Sequence, residues 1–310
     1  MNLHIVVPTK SCVNSCPFCV SRIHDSLYEN MWDEFQMEKR IKYAIMNGVT
    51  TCVITGTGEP LQNIHFLRKL IDLFKKMNHP FPNVEFQTTG VMLMNYDEKI
   101  SAVTGKTSDQ YYNIELLKKL GVNTISLSVS DIFDYQNNEE IIGIPNKLKF
   151  NLKNLCSLIK DAGFNLRLSL NMIKIYNSYN PQDIISRCEE LGANQIMFKK
   201  LYFSGDESNS QSLWIKENAC SDKTLEKIKE YVQGKHYTGH STMYHIDYEG
   251  FGTYLYTLSF GAKVYSLNGI SIAIDDDCMC KESSESIRYI IIRENGKLYC
   301  RWDDDGSLIF

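Results

Sequence analysis

The chain has 310 residues, of which 43% are hydrophobic and 23% charged, and its formal net charge is -4. This composition is typical of a soluble globular protein with one large domain, or one domain and an appendage. No apolar stretch approaches the roughly 18 residues of a membrane span. The scattered Lys and Arg residues give no basis for non-specific nucleic-acid binding, while specific RNA contact stays open. Ten cysteines without a secretory leader predict a reducing cytoplasm and cofactor ligation.

Three cysteines follow the first predicted strand, which is the apolar run at residues 3–8. Cys12, Cys16 and Cys19 have the spacing C-x3-C-x2-C. Three thiolates on one loop can hold three irons of a [4Fe–4S] cluster, which leaves the fourth iron open to a small molecule. Zinc with His24 as a fourth ligand is the alternative that these residues leave open.

A glycine-rich loop follows the second predicted strand. The β-branched run at residues 51–54 ends in Thr55-Gly56-Thr57-Gly58-Glu59-Pro60, in which two glycines permit close approach to a ligand. Alone, this loop would be read as an ordinary turn. After a second strand, with a cysteine triplet after the first, it resembles the radical S-adenosylmethionine (SAM) enzymes, in which a Gly-Gly-Glu-Pro-like loop holds the aminoacyl end of SAM. Thr57 stands where that pattern has a glycine.

Strands and helices alternate through the rest of the first 234 residues. Predicted strands cover residues 84–89, 124–130, 164–173 and 195–201. A first predicted helix is marked by Ile41, Ala44 and Ile45, and the other predicted helices cover residues 64–74, 114–120, 148–159, 181–191 and 221–232. With the first two strands, these make six βα units, which imply a parallel sheet with right-handed crossovers. This organisation resembles the partial (β/α)6 TIM barrel of radical SAM enzymes, in which loops after successive strands share one face. Such a barrel is open at its side to a bulky substrate.

Polar side chains alternate with aliphatic ones in two of these strands. One face carries Ser126, Ser128, Ser130, Arg167, Ser169 and Asn171. Because helices cover the outside of the sheet, we expect this face to line the barrel interior, where hydroxyl and amide groups suit SAM. The alternative is that these groups are satisfied polar side chains of the barrel itself. The resemblance implies SAM or substrate contacts at Phe18, Gly56, Thr57, Gly58, Glu59, Thr89, Ser128, Asn171 and Lys199.

The pattern changes after residue 234. We therefore predict a radical SAM barrel over residues 1–234 and a β-rich C-terminal extension over residues 235–310 that covers the barrel mouth. Asn295-Gly296 between two apolar runs predicts a hairpin. Cys278, Cys280 and Cys300 are candidates for an auxiliary cluster, but their spacing departs from the pattern of families that have one, and we expect them to be dispensable.

The resemblance implies an enzyme that cleaves SAM reductively at a [4Fe–4S] cluster to form a 5′-deoxyadenosyl radical, which abstracts hydrogen from a substrate. It also implies a one-electron donor such as flavodoxin or ferredoxin. The reaction subtype stays open between oxidoreductase, lyase and transferase. The substrate stays open between a small molecule or nucleotide and a peptide or protein. The hypothesis from a different class is a non-catalytic Fe–S or zinc-binding protein on a barrel scaffold.

Overall fold

The computed structural model describes residues 1–22, 32–94, 110–234, 252–258, 261–275, 287, 289–302 and 304–310. Its strands are β1 Asn2–Val7, β2 Thr51–Gly56, β3 Asn83–Thr88, β4 Thr124–Val129, β5 Asn165–Met172, β6 Gln195–Lys200, β7 Thr253–Thr257, β8 Lys263–Leu267, β9 Ile270–Asp275, β10 Tyr289–Ile292 and β11 Leu298–Tyr299. Its α-helices are α1 Glu34–Met46, α2 Ile64–Lys76, α3 Val91–Met94, α4 Gln110–Lys119, α5 Tyr135–Ile142, α6 Leu152–Asp161, α7 Pro181–Glu190, α8 Ser210–Asn218 and α9 Asp222–Gln233.

Helix starts follow local capping chemistry. Asn63 and Ser221 each accept a hydrogen bond from a backbone N–H in the first turn of the helix they cap, α2 and α9 respectively. Pro181 occupies the first position of α7, where its missing N–H has no helical partner to lose. These starts agree with the helices predicted over residues 181–191 and 221–232.

The described strands form one sheet in the order β11-β10-β1-β2-β3-β4-β5-β6-β9-β8-β7. The six predicted strands, β1 to β6, pair in parallel and in sequence order at its centre. Two strands of the extension also join in parallel, β10 beside β1 and β9 beside β6. An unpaired edge would leave backbone N–H and C=O groups of β1 and β6 without partners, and these two strands satisfy them.

The two faces of the sheet have opposite character. The outer face presents aliphatic residues such as Ile5, Ile54, Leu127 and Leu168, which are fully buried in a single core with the helices. The alternating residues define an inner face that is rich in polar side chains. The predicted α/β fold, with a parallel sheet, helices and a β-rich C-terminal region, is therefore confirmed.

The described strands of the extension continue the sheet of the barrel. The predicted hairpin is present as β10 and β11, and β7, β8 and β9 form an antiparallel unit at the opposite edge. The boundary at residue 234 remains a proposal, since strands on both sides of it belong to one sheet. Residues 235–250 and 276–286, on which covering of the barrel mouth also depends, lie outside the described residues.

None of the helices that the structure describes combines the length and the apolar character needed to cross a membrane.

Candidate functional site

The cysteine loop, residues 9–19, runs from the carboxyl end of β1. All three of its thiol side chains are partly exposed, whereas Cys52, Cys156, Cys188 and Cys220 are buried. The loop is held from two sides. Asn14 donates from Nδ2 to the Thr89 hydroxyl at 2.7 Å, and the backbone N–H of Ser15 donates to the Ile142 carbonyl of α5 at 3.0 Å.

The thiols fit a thiolate-ligated cluster in their donor chemistry. Burial, with smaller contributions from the charges of Glu59 and Cys19, raises the pKa of the Cys12 thiol. The Cys16 thiol donates to the Ile142 carbonyl at 3.3 Å, a bond that a metal-bound thiolate would give up because it has no proton. Across the described residues, no three His, Cys, Asp or Glu side chains are already gathered around one point as metal ligands. Ligation by Cys12, Cys16 and Cys19 therefore stays a prediction, and His24 lies outside the described residues.

The glycine loop, residues 55–60, packs directly against the cysteine loop. A Cβ atom built on Gly58 would lie 2.6 Å from the Thr9 hydroxyl and 3.1 Å from Cys12 Cα, and one on Gly56 would lie 2.8 Å from the Gly58 carbonyl. Neither glycine has a positive φ. Close approach of two backbones, and not an unusual backbone angle, is therefore what requires glycine at these positions.

Thr57, the departure from the family pattern, uses its hydroxyl to join the same two loops. Its Oγ1 accepts from the backbone N–H of Thr9 at 3.1 Å and lies 3.2 Å from the Thr9 hydroxyl. Its own N–H donates to the Val7 carbonyl at 3.3 Å. A glycine would provide the last of these bonds but neither of the others.

Glu59 is directed into the protein. It is only 2% exposed, and its carboxylate accepts from Thr88 Oγ1 at 2.7 Å, from the Thr89 N–H at 3.1 Å and from Thr89 Oγ1 at 3.0 Å. Burial raises the pKa of this carboxyl in spite of these bonds. With Asn14 also bonded to Thr89, one network connects the loops after β1, β2 and β3. The side chains of Glu59 and Thr89 brace the loops, which leaves the backbone of residues 56–58 as the accessible part.

The inner face of the sheet holds two polar layers. The lower layer consists of Glu85, Arg167 and Gln195, which lie in the amino-terminal halves of their strands, and of Gln87, which lies next to the carboxyl end of β3. Arg167 pairs with the Glu85 carboxylate and donates from Nε to Gln195 Oε1 at 2.7 Å, and Gln87 donates to Glu85 at 3.2 Å. These side chains satisfy one another, so the lower layer is a structural unit.

The upper row, near the carboxyl ends of the strands, consists of Ser128, Asn171, Lys199 and Asp275. Asn171 donates from Nδ2 to Ser128 Oγ at 3.1 Å and to Ser130 Oγ at 3.3 Å. Asn171 is opposite Lys199 in the pairing of β5 with β6, and Lys199 is opposite Asp275 in the pairing of β6 with β9. The predicted candidates Ser128, Asn171 and Lys199 thus lie side by side. Their contact with SAM stays a prediction.

Lys199 also marks the curvature of the sheet. The pKa of His4 on β1 falls to about 4, mainly through burial and secondly through the charge of Lys199 on β6. Strands that are five positions apart in the sheet therefore have inner side chains within electrostatic reach. The inner face is concave, as the predicted partial barrel requires.

Phe18 lies between the second and third cysteines, and its ring contacts Trp214 on α8 with centroids 5.6 Å apart. Neither Trp214, Asn14 nor Asp275 was singled out from the sequence. A signal existed for Asp275, because Ile270-Ser-Ile-Ala-Ile-Asp275 has the alternation of a half-polar strand. No sequence pattern indicated Trp214, since its partner Phe18 is almost 200 residues away along the chain.

The C-terminal cysteines are only partly described. Cys300 is partly exposed, and its thiol and backbone N–H both lie near the Ser307 carbonyl, at 3.5 Å and 3.1 Å. Cys278 and Cys280 lie outside the described residues. An auxiliary cluster at these three positions stays untested.

The sequence was compared with models of known protein families and with curated protein sequences. The profile of the Radical SAM superfamily matches residues 6–191, well over half of the chain, from β1 to the residue after α7. A comparison with curated protein sequences finds no significant match.

Solved structures show the same fold at low sequence identity. Streptococcus suis SuiB bound to the precursor peptide SuiA is 16% identical with a TM-score of 0.57, over 96% of this chain and 58% of SuiB. Native anSMEcpe with bound AdoMet is 14% identical with a TM-score of 0.56, over 99% of this chain and 76% of that one. The complex of anSMEcpe with AdoMet and the Kp18Cys peptide is 13% identical with a TM-score of 0.57, over the same fractions. The chain thus spans only 58% of the length of SuiB.

Proposed function

The chain belongs to the radical SAM superfamily, and from this membership we propose that it reductively cleaves SAM at a [4Fe–4S] cluster held by Cys12, Cys16 and Cys19. Superfamily members are enzymes that use such a cluster, SAM and a one-electron donor. We propose flavodoxin or ferredoxin as the donor for this chain. The observation that supports the proposal most directly is the contact of Gly58 with Cys12, because it joins the predicted SAM loop to the predicted cluster loop.

Cys12, Cys16 and Cys19 would hold the cluster, and when bound it would supply the one electron that cleaves SAM reductively to methionine and a 5′-deoxyadenosyl radical, which would take hydrogen from the substrate. The residues of the chain bind and orient. The backbone of residues 56–58 receives the aminoacyl end of SAM, while Glu59 and Thr89 keep that loop against the cysteine loop. Ser128 and Asn171 offer hydroxyl and amide groups to the ribose or the carboxylate.

The test is anaerobic purification and reconstitution, followed by iron and sulfide analysis and by assay of 5′-deoxyadenosine with dithionite and SAM. We expect about four irons per chain, as one [4Fe–4S] cluster requires. Cys16→Ala should lose the cluster and the product. The matched control is Cys188→Ala, since Cys188 is a fully buried core thiol on α7 and its loss should leave both intact. Stoichiometric zinc without iron, or iron without 5′-deoxyadenosine, would support the non-catalytic alternative and contradict the proposal.

We further propose that the substrate is a peptide or protein. Two proteins of the same fold are described with bound peptides, SuiB and anSMEcpe. In this chain, all five residues of β7 are exposed, and β7 is the last of the described strands at its edge of the sheet. An exposed strand edge can pair with an extended peptide, and Tyr254, Leu255 and Tyr256 offer it side-chain contacts.

Peptides encoded by genes next to the gene of this chain are the first probes of that substrate class. A peptide substrate should raise the rate of 5′-deoxyadenosine formation above the substrate-free rate and should itself change in mass. A panel of nucleotides and small metabolites serves as the comparison. Stimulation by a member of that panel, with no change in any peptide, would contradict a peptide substrate and leave the SAM chemistry standing.

A further inference from the structure

A buried amide on α8 has no hydrogen-bond partner. Gln211 is 6% exposed, and neither its Nε2 nor its Oε1 forms a hydrogen bond. Its backbone N–H, in contrast, donates to Oδ1 of the N-cap residue Asn209 at 2.8 Å. Leaving a buried polar group unpaired costs about 1–3 kcal/mol, so an amide with both ends unpaired is a costly arrangement for the protein alone.

Two other buried amide side chains form hydrogen bonds within the protein. Asn171 donates to two serine hydroxyls, and Asn138 Oδ1 accepts from the backbone N–H groups of Ser130 and Asp131. Of the buried side chains that the structure describes, Gln211 alone has both an unpaired donor and an unpaired acceptor on one amide. A partner for it must therefore offer one acceptor and one donor close together.

The position of Gln211 indicates what that partner is. Gln211 and Trp214 are three residues apart on α8, so they lie on one side of the helix about one turn from each other. Trp214 contacts Phe18, which lies between Cys16 and Cys19. The unpaired amide is therefore one helical turn from an aromatic pair at the cysteine loop.

We propose that Gln211 is a specificity-determining residue that hydrogen-bonds the adenine edge of SAM, beside the aromatic surfaces of Phe18 and Trp214. A carboxamide matches adenine, because its oxygen accepts from the 6-amino group while its nitrogen donates to the adjacent ring nitrogen. Flat apolar side chains suit a base because every base has a π face. This inference rests on the proposed function, since it requires SAM to bind at the cysteine loop.

The experiment uses the cluster-loaded protein and its Gln211→Met variant, because methionine keeps the unbranched shape of glutamine without its polar atoms. Equilibrium binding is measured with SAM and with the SAM analogue in which purine, lacking the 6-amino group, replaces adenine. We expect the variant to bind SAM about tenfold more weakly, since a good bidentate pair with a base contributes about 1–3 kcal/mol. We expect the parent to prefer SAM over the purine analogue and the variant to lose that preference.

Thermal melting without SAM is the second readout. Gln211→Met removes no hydrogen bond within the protein, so it should melt at or above the temperature of the parent. Gln195→Met is the matched control, because Gln195 accepts from Arg167 at 2.7 Å. It should melt below the parent and keep the preference for SAM.

Two results would overturn the inference. One is unchanged discrimination between SAM and its purine analogue in Gln211→Met, which would assign the amide to a buried water or to another ligand such as a peptide. The other is a melting temperature of Gln211→Met well below that of the parent, which would show that the amide is bonded within the protein. Failure of the parent itself to bind SAM would instead count against the proposed function.

Discussion

The lower layer and the upper row of the inner face both contain hydrogen-bonded polar side chains, but they differ in where most of those side chains lie along the strands. In the lower layer, the charges of Arg167 and Glu85 pair with each other, and Gln87 and Gln195 complete the network. The upper row lies at the carboxyl ends of the strands, next to the loops that bear the cysteines and Gly58. In parallel β/α barrels the carboxyl ends hold the active site and the amino ends serve stability. We therefore expect polar side chains inside the barrel to take part in a site only where they lie at strand ends, close to the loops.

Arg167→Met should show most clearly that the lower layer serves stability and not SAM binding. It leaves the Glu85 carboxylate, which is 7% exposed, without its cation, and we expect the free energy of unfolding to fall by about 3 kcal/mol. Chemical denaturation measures this loss. SAM affinity of the cluster-loaded protein should stay within about twofold of the parent. A large loss of SAM affinity at unchanged stability would place Arg167 in the site and break the comparison.

Gly58→Val should act on the loops above the upper row. A Cβ at this position meets Thr9 and Cys12, so the loops must separate, and overpacking of this kind costs about 1–3 kcal/mol. We expect SAM to bind about 30-fold more weakly while the iron content is retained, measured by equilibrium binding. Gly163→Ala is the control, since Gly163 lies between α6 and β5 with a φ of 88° and nothing within 4 Å of a new Cβ. It should lower stability alone, and equal SAM affinity of both variants would refute this placement of the loop.

His4 should make the stability of the folded protein depend on pH. Its pKa in the folded protein is about 4, below the ordinary value of 6.5, because of burial first and the charge of Lys199 second. The unfolded chain therefore binds the proton more readily, and stability should fall as pH drops from 6.5 toward 4. We expect a loss of about 1–2 kcal/mol by pH 5 in cluster-free protein, measured by denaturant titration. His4→Gln should flatten this part of the profile, and an identical profile would exclude His4 as its cause.

Asn171→Leu should test the upper row itself. Leucine removes the amide that binds Ser128 and Ser130, and with it the donors and acceptor available to SAM. We expect SAM affinity to fall about tenfold, equivalent to about 1.4 kcal/mol, with the cluster retained. Isothermal titration of the reconstituted variant measures the change. Affinity equal to that of the parent would make Asn171 a satisfied polar group like those of the lower layer.

The C-terminal cysteines should give the smallest effect. In a Cys278→Ser, Cys280→Ser, Cys300→Ser triple variant, we expect iron to remain at about four per chain and 5′-deoxyadenosine formation without substrate to be unchanged. The described part of this set, Cys300, lies against the Ser307 carbonyl near the end of the chain. A fall from about eight irons to about four would instead establish an auxiliary cluster and extend the functional region into the extension.

Local sequence patterns were enough to predict many features of this molecule. The six central strands, the capping residue Ser221, the hairpin turn at Asn295-Gly296 and the shared face of Ser128 and Asn171 all follow from periodicity and turn chemistry within short segments. The spacing of Cys12, Cys16 and Cys19, followed by the loop at Gly58, was enough to identify the superfamily. These features are readable because each depends on residues a few positions apart.

The tertiary structure decided which distant residues meet. Asp275 joins the upper row only because β9 pairs with β6, and Trp214 meets Phe18 only because α8 lies beside the cysteine loop. Thr57 joins the first two loops because its hydroxyl reaches Thr9, and Glu59 braces two loops because Thr88 and Thr89 come within hydrogen-bond distance of its carboxylate. Alternation in a sequence specifies the face of a strand on which a side chain lies. Its neighbours across the sheet are set by register and crossover, which depend on the packing of the whole chain.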